Sequence, residues 1–168
     1  MTAAVRILTV CLGNICRSPT AEAALVEAAA TAGVAVEVRS AGTGDWHVGH
    51  PPDPRMRAAA DRVGLRLDGV AETVTAEALA AADLVLAMDR TNLADLRRLA
   101  GAAGITTRIE LFRTFDPDPV AVRGAAADEV PDPYYGDEDG FAEVVAMCRR
   151  TAGAVVTAIA DGTLGAGR

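Results

Sequence analysis

Short β-branched runs alternate with longer alanine-rich segments along this chain, and that alternation restricts its fold more than any other feature. Val5 to Val10 reads as a strand, and beyond a short turn Ser18 and Pro19 offer a cap and a first-turn proline for a helix through about Ala32. Val34 to Arg39 reads as a second strand, Pro54 to Val63 as a helix ended by Gly64, and Asp83 to Met88 as a buried strand after the alanine-rich segment 75 to 82. Asp89 caps a helix to about Ala100, and Thr106 to Leu111 forms a fourth strand. Gly140 to Ala160 makes a long last helix with Phe141, Val144, Val145, Cys148, Ala152 and Val155 on one face, followed by a loose tail over 162 to 168. The pattern predicts one domain over residues 1–168. Its class is α/β, a Rossmann-like three-layer sandwich around a four-stranded parallel sheet, with ligands beyond the carboxyl ends of the strands.

Composition narrows the function. Fifty-one per cent apolar residues in 168 argue for a packed core, and the longest charge-free stretches, Ile7 to Cys16 and Thr151 to Ala160, are far short of a bilayer span. All 16 basic residues are arginine, and 23 acids leave a net charge of −7, so neither nucleic acid nor a membrane is an expected partner. The first ten residues carry no cleavage-site pattern, which makes the cytoplasm the expected address. Three cysteines are an odd count for a disulfide framework and are read as core, metal-binding or reactive thiols.

Three loops matter at the expected ligand edge: residues 11 to 17, 40 to 54, and the Pro-, Asp- and Tyr-rich segment from Arg113 to Asp139. In the first, the phosphate loop after the first strand, Cys11 follows that strand directly, Gly13 and Asn14 tolerate left-handed backbone, and a helix begins at once. Such a loop turns its amides inward as an anion nest backed by the helix dipole, a field that favours a thiolate nucleophile. Arg17 adds a planar fork for two phosphate oxygens. The expected chemistry is attack by Cys11 on phosphorus. Cleaving a phosphate ester also needs a proton donor for the leaving oxygen, for which Asp116, Asp118, Asp128, Asp132 and Asp137 are all available on the third loop.

CLGNICRSP at 11 to 19, SAGT at 40 to 43 and DPYYG at 132 to 136 together resemble the low-molecular-weight protein tyrosine phosphatases, in the family's order and over essentially the whole chain. The resemblance implies a cysteinyl-phosphate intermediate, no metal, no cofactor, and phosphotyrosine-containing proteins as partners of a monomer. Carried over residue by residue, Cys11 is the nucleophile, Arg17 binds phosphate and Asp132 is the general acid. Leu12, Gly13, Asn14, Ile15, Cys16 and Ser18 surround the phosphate, Ser40 supports the loop, and Trp46, Tyr134 and Tyr135 form an aromatic rim for the phosphotyrosine ring.

Other readings compete. Cys11 and Cys16 with His47 and His50 have spacing that admits zinc, although two residues between the histidines is short. Cys16 is either a small core residue or a thiol that resolves an oxidised Cys11, and Cys148 reads as core. A nucleotide-binding module lacks its glycine signatures here. Arsenate reductases share the first loop but need a further cysteine pair, and protein arginine phosphatases typically carry threonine where this chain has Ile15.

Overall fold

The computed structural model describes residues 3–164. Four parallel strands, β1 (Val5–Cys11), β2 (Val36–Gly42), β3 (Leu84–Ala87) and β4 (Arg108–Leu111), lie in the order β2-β1-β3-β4. Side chains alternate across the sheet, so successive residues of the central strands fill two different cores. Val5, Ile7 and Cys11 of β1 with Leu84 and Leu86 of β3 face α1 (Arg17–Ala32), α2 (Pro54–Asp61) and α5 (Glu138–Ala160). Leu8, Val10, Val85 and Ala87 face α3 (Ala76–Ala81) and α4 (Arg90–Ala103). Burial on both faces explains why β1 and β3 read as near-continuous apolar runs. The expected three-layer sandwich is the observed one, with every β-to-α loop at the carboxyl edge of the sheet.

Local chemistry sets most helix ends. Asp53 accepts from the Arg55 amide at 2.8 Å ahead of Pro54, Thr75 caps α3, and Asp137 caps α5 with Glu138 and Asp139 in its first turn. Asp89 and Asn92 form a reciprocal capping box at α4, which runs to Ala103 and is capped by Gly104, beyond the expected end near Ala100.

Three expectations need correction. Ser18 does not cap α1: Cys16 occupies that position without a side-chain bond, and Ser18 lies inside the helix with its hydroxyl turned to Cys11. Strand β2 begins and ends later than the sequence suggests, because Ser40, Ala41 and Gly42 pair with Thr9, Val10 and Cys11. Of the expected loose tail, residues 162–164 fold back, with the buried Leu164 donating its amide to Ala158 at 2.9 Å, and 165–168 lie outside the described residues.

Candidate active site

The loop between β1 and α1 is shaped by where its carbonyls go. The carbonyls of Cys11, Leu12 and Ile15 accept from the amides of Thr43, Gly44 and Asp53, each at 2.9 Å, and that of Cys16 accepts from the Thr20 hydroxyl at 2.7 Å. In a trans peptide the following N–H points the opposite way, so the amides of Leu12, Gly13, Cys16 and Arg17 turn toward a common cup. Asn14 closes the curl with φ of 57°, a backbone region that asparagine visits more readily than most residues. Gly42 lets β2 approach, since a Cβ there would stand 2.7 Å from the Leu12 oxygen.

Cys11 Sγ sits at the base of this cup, with the Asn14 amide donating to it at 3.2 Å and Ser18 Oγ at 3.0 Å. The Asn14 side chain braces both sides: Nδ2 donates to Ser18 Oγ at 2.8 Å and to Ser40 Oγ at 3.0 Å, while Oδ1 accepts from the Glu72 amide at 2.9 Å. Ser40 in turn donates to Glu22 at 3.1 Å, a carboxylic acid whose pKa is raised by burial against the lowering effect of that bond. Asn14, Ser18 and Ser40 are thus one network around the sulfur.

Arg17 is buried, and its Nη1 bonds Asp89 Oδ2 at 2.6 Å and the Val130 carbonyl at 3.3 Å, while Nη2 stands 3.6 Å from Asp132 Oδ2. Burial opposes the charge on Arg17, but Cys11, Asp132 and Asp89 outweigh it and raise its pKa further, so the guanidinium stays protonated. Asp89 was legible only as a helix cap. Its place at the carboxyl end of β3 is the signal that marks it for the site as well.

A cleft of about 410 Å³ opens over the sulfur, lined by Cys11, Ile15, Arg17, Trp46, Asp132 and Tyr134, with Leu12, Gly13, Cys16, His47 and Tyr135 completing the wall. Of the five candidate aspartates, Asp132 alone lines this cleft. Asp116 is buried between Arg113 and Arg150, Asp118 donates its amide to Asp116, Asp128 pairs with Arg90, and Asp137 caps α5. Trp46 is exposed and Tyr135 almost fully so, forming a rim rather than a floor, and Tyr134 packs edge-on against Tyr135 at 4.9 Å. His47, considered in the sequence only as a metal ligand, lies in the cleft wall 6.2 Å from the Tyr134 ring. Among the described residues no three His, Cys, Asp or Glu side chains group as metal ligands do.

Cys16 and Cys148 differ from Cys11 in surroundings. Burial pushes the Cys16 thiol well up, with Asp53, Cys11 and Asp132 adding to the effect. Cys148, fully enclosed on α5, is pushed up to about 12 by burial.

Fold and site together define an α/β phosphatase built around a single phosphate loop. A sequence model described as low molecular weight phosphotyrosine protein phosphatase matches residues 6–163, and the chain belongs to that family. It is 41% identical over 158 residues to a low molecular weight protein-tyrosine-phosphatase of Streptomyces coelicolor, covering 93% of this chain and 94% of that one. The low molecular weight phosphotyrosine protein phosphatase of Homo sapiens is 36% identical over 147 residues, 86% of this chain and 89% of its own. Among solved structures, a protein tyrosine phosphatase from Entamoeba histolytica superposes with a TM-score of 0.83 at 29% identity, covering 96% of this chain and 100% of the other. Among the described residues no helix is long and apolar enough to cross a membrane.

Proposed function

We propose that the protein hydrolyses phosphotyrosine in proteins by way of a phosphorylated Cys11. The observation that carries this reading is the placement of Cys11 Sγ at the base of an amide-lined cup, with Arg17 beside it and Asp132 on the cleft wall. The phosphoryl group enters the cup and the sulfur attacks phosphorus in line with the phenolic oxygen, forming the P–S bond as the P–O bond breaks. Charge on the remaining three oxygens meets the loop amides and the Arg17 fork, which are in place before reaction and need no reorganisation. Asp132, in its protonated form, delivers a proton to the departing phenolate. Its carboxylate then takes a proton from the water that attacks phosphorus, the electron pair of the P–S bond returns to sulfur, and inorganic phosphate leaves. Ser18 Oγ, 3.0 Å from the sulfur and also within reach of the Ala41 carbonyl, turns its hydrogen to the sulfur when that is a thiolate, and so stabilises it both in attack and in departure.

The aromatic side chains lining the cleft, Trp46, Tyr134 and Tyr135, support an aryl substrate, whose flat ring offers them a face that a serine phosphate lacks. Ile15, buried in the wall, presents an apolar surface to that ring and no hydrogen bond for a guanidinium. With this reading go phosphotyrosine-bearing proteins as partners, a monomeric state and a cytoplasmic address.

The test compares kcat/KM on peptides carrying phosphotyrosine, phosphoserine or phosphoarginine for wild type and Cys11→Ser. Wild type is expected to favour phosphotyrosine by a factor of about 100 or more, as a well-oriented site requires. Cys11→Ser should lose turnover yet still bind inorganic phosphate through the amide cup. Equal rates on phosphoserine overturn the slot, and turnover surviving in Cys11→Ser overturns the nucleophile.

A further inference from the structure

The segment leading to Asp132 is gripped at two successive carbonyls by two buried arginines. Arg17 Nη1 donates to Val130 O at 3.3 Å, and Arg113 Nη1 donates to Glu129 O at 3.0 Å. Arg113 lies in a 3-10 turn, Phe112–Phe115, directly after β4, and its side chain has no exposure. Its other two nitrogens are also engaged: Nη2 holds the Val120 carbonyl at 3.1 Å, and Nε holds Asp116 Oδ2 at 2.9 Å. Asp116 is enclosed as well, clasped from α5 by Arg150 through Nε at 2.7 Å and Nη2 at 2.9 Å. The result is an Arg–Asp–Arg triad from which one fork reaches both ends of the stretch 120–129.

A buried ion pair such as Arg113–Asp116, braced here by the half-buried Arg150, is no better for stability than an apolar core of the same volume, so its presence asks what an apolar side chain could not do. The answer is geometric. Guanidinium offers five donors in a fixed plane, and only that fork joins two carbonyls from distant points of a loop to a carboxylate in the core. Beyond Val130, whose amide is pinned to Met88 O at 2.8 Å, come Pro131 and Pro133, both buried and both restricting φ, with Asp132 between them. No slack separates the gripped carbonyls from the aspartate.

We propose that Arg113 is a positioning residue for the reaction, setting the height of Asp132 over the leaving-group oxygen through the Glu129 and Val120 carbonyls. The proposal rests on the reading of Asp132 as the general acid. Arg113 touches neither the cup nor the cleft wall, so its loss acts on proton delivery and leaves phosphate binding alone.

Arg113→Lys tests it, because lysine keeps the charge opposite Asp116 and hence the core, but lacks the fork that holds both carbonyls. The measurements are kcat/KM for phosphotyrosine and for p-nitrophenyl phosphate, whose leaving group needs no proton, together with the inhibition constant of inorganic phosphate. Arg113→Lys should lose about 10- to 100-fold on phosphotyrosine, the scale of a misplacement near 1 Å, with p-nitrophenyl phosphate and phosphate inhibition close to wild type. Combined with Asp132→Asn, it should add little to the loss that Asp132→Asn shows alone. Equal losses on both substrates, or losses that simply multiply in the double variant, overturn the proposal and leave Arg113 a packing residue. A flat response to leaving group in Asp132→Asn itself overturns the acid assignment first, and is told apart because it needs no change at Arg113.

Discussion

Arg17 Nη1 lies 2.6 Å from Asp89 Oδ2, and the other oxygen of the same carboxylate accepts from the Asn92 amide at 2.8 Å. One side chain therefore orients Arg17 and starts helix α4. The two tasks have different chemical requirements, since capping needs only an oxygen acceptor whereas orienting a buried cation also draws on charge.

Asp89→Asn should separate them. Asparagine caps as well as aspartate, so α4 stays intact, but Arg17 loses its charged partner and the cup its fixed fork. The expected outcome is a loss of about 10-fold or more in kcat/KM together with weaker inhibition by phosphate. Asp89→Ala should show the same kinetic loss and, in addition, about 1 kcal/mol less stability in urea unfolding. Wild-type kinetics in Asp89→Asn would show that Arg17 is held by Val130 and Asp132 alone.

Gly42→Ala places a methyl group 2.7 Å from the Leu12 carbonyl and 3.2 Å from the Asn14 amide, both of them backbone atoms of the phosphate loop. The loop must shift, so phosphate inhibition should weaken by about 10-fold and stability fall by about 1–3 kcal/mol. Gly101→Ala on α4 meets nothing within 4 Å and serves as the control: unchanged kinetics and a gain of about 0.5–1 kcal/mol. Unaltered phosphate inhibition in Gly42→Ala would show that β2 yields instead of the loop.

Cys16 is the candidate partner for an oxidised Cys11. Peroxide converts the Cys11 thiolate to a sulfenic acid, and the Cys16 thiolate then displaces hydroxide to form the disulfide, which a reductant reopens. Because burial holds the Cys16 thiol up, its thiolate is scarce at neutral pH and grows as pH rises. Bridging should accordingly be faster at pH 8.5 than at pH 7. After a peroxide pulse and dithiothreitol, wild type should recover most of its activity and Cys16→Ser little. Equal recovery in both returns Cys16 to the role of a small packed residue.

The clasped Asp116 makes stability depend on pH in a defined direction. Burial works against its charge, but the bonds from Arg150, the Asp118 amide and Arg113 prevail and hold its pKa below the ordinary carboxylate range. A depressed carboxylate stabilises the fold above its unfolded value, about 3.9, and that contribution disappears as pH falls through the lower folded value. Asp116→Asn leaves two arginines without their anion, so it should cost about 3–5 kcal/mol at pH 7, with the gap to wild type narrowing as pH drops below about 4. A gap that stays constant across that range would count against the triad as the source.

The strand β1 was legible because a central parallel strand is buried on both faces and must be largely apolar, as Val5 to Val10 is apart from the exposed Arg6 and the hydroxyl of Thr9, and this needs no partner to be read. The residues of the cup were legible for a similar reason, since Cys11, Gly13, Asn14 and Arg17 lie within one loop, but the curl itself is held by Thr43, Gly44 and Asp53 from elsewhere in the chain. Ser18 was misread as a cap because the pull of Cys11 and Asn14 on its hydroxyl, a contact made only once the loop has curled, outweighs the helix terminus. The aspartates of the third loop were equivalent in sequence, and what distinguishes them is which arginine each one meets in the folded chain.

By itself, then, the order of residues determined the alternating architecture, the residues of the loop after β1 and the family likeness, each of which is read from stretches of a few neighbouring positions. The tertiary structure decided what sits opposite what: Asp89 beside Arg17 across 72 residues, the Glu129 carbonyl on Arg113, and Asp132 in the same cleft as Cys11. The physical reason is that pairing between distant side chains follows from how the sheet stacks its loops at one edge, and no periodicity in the chain records it.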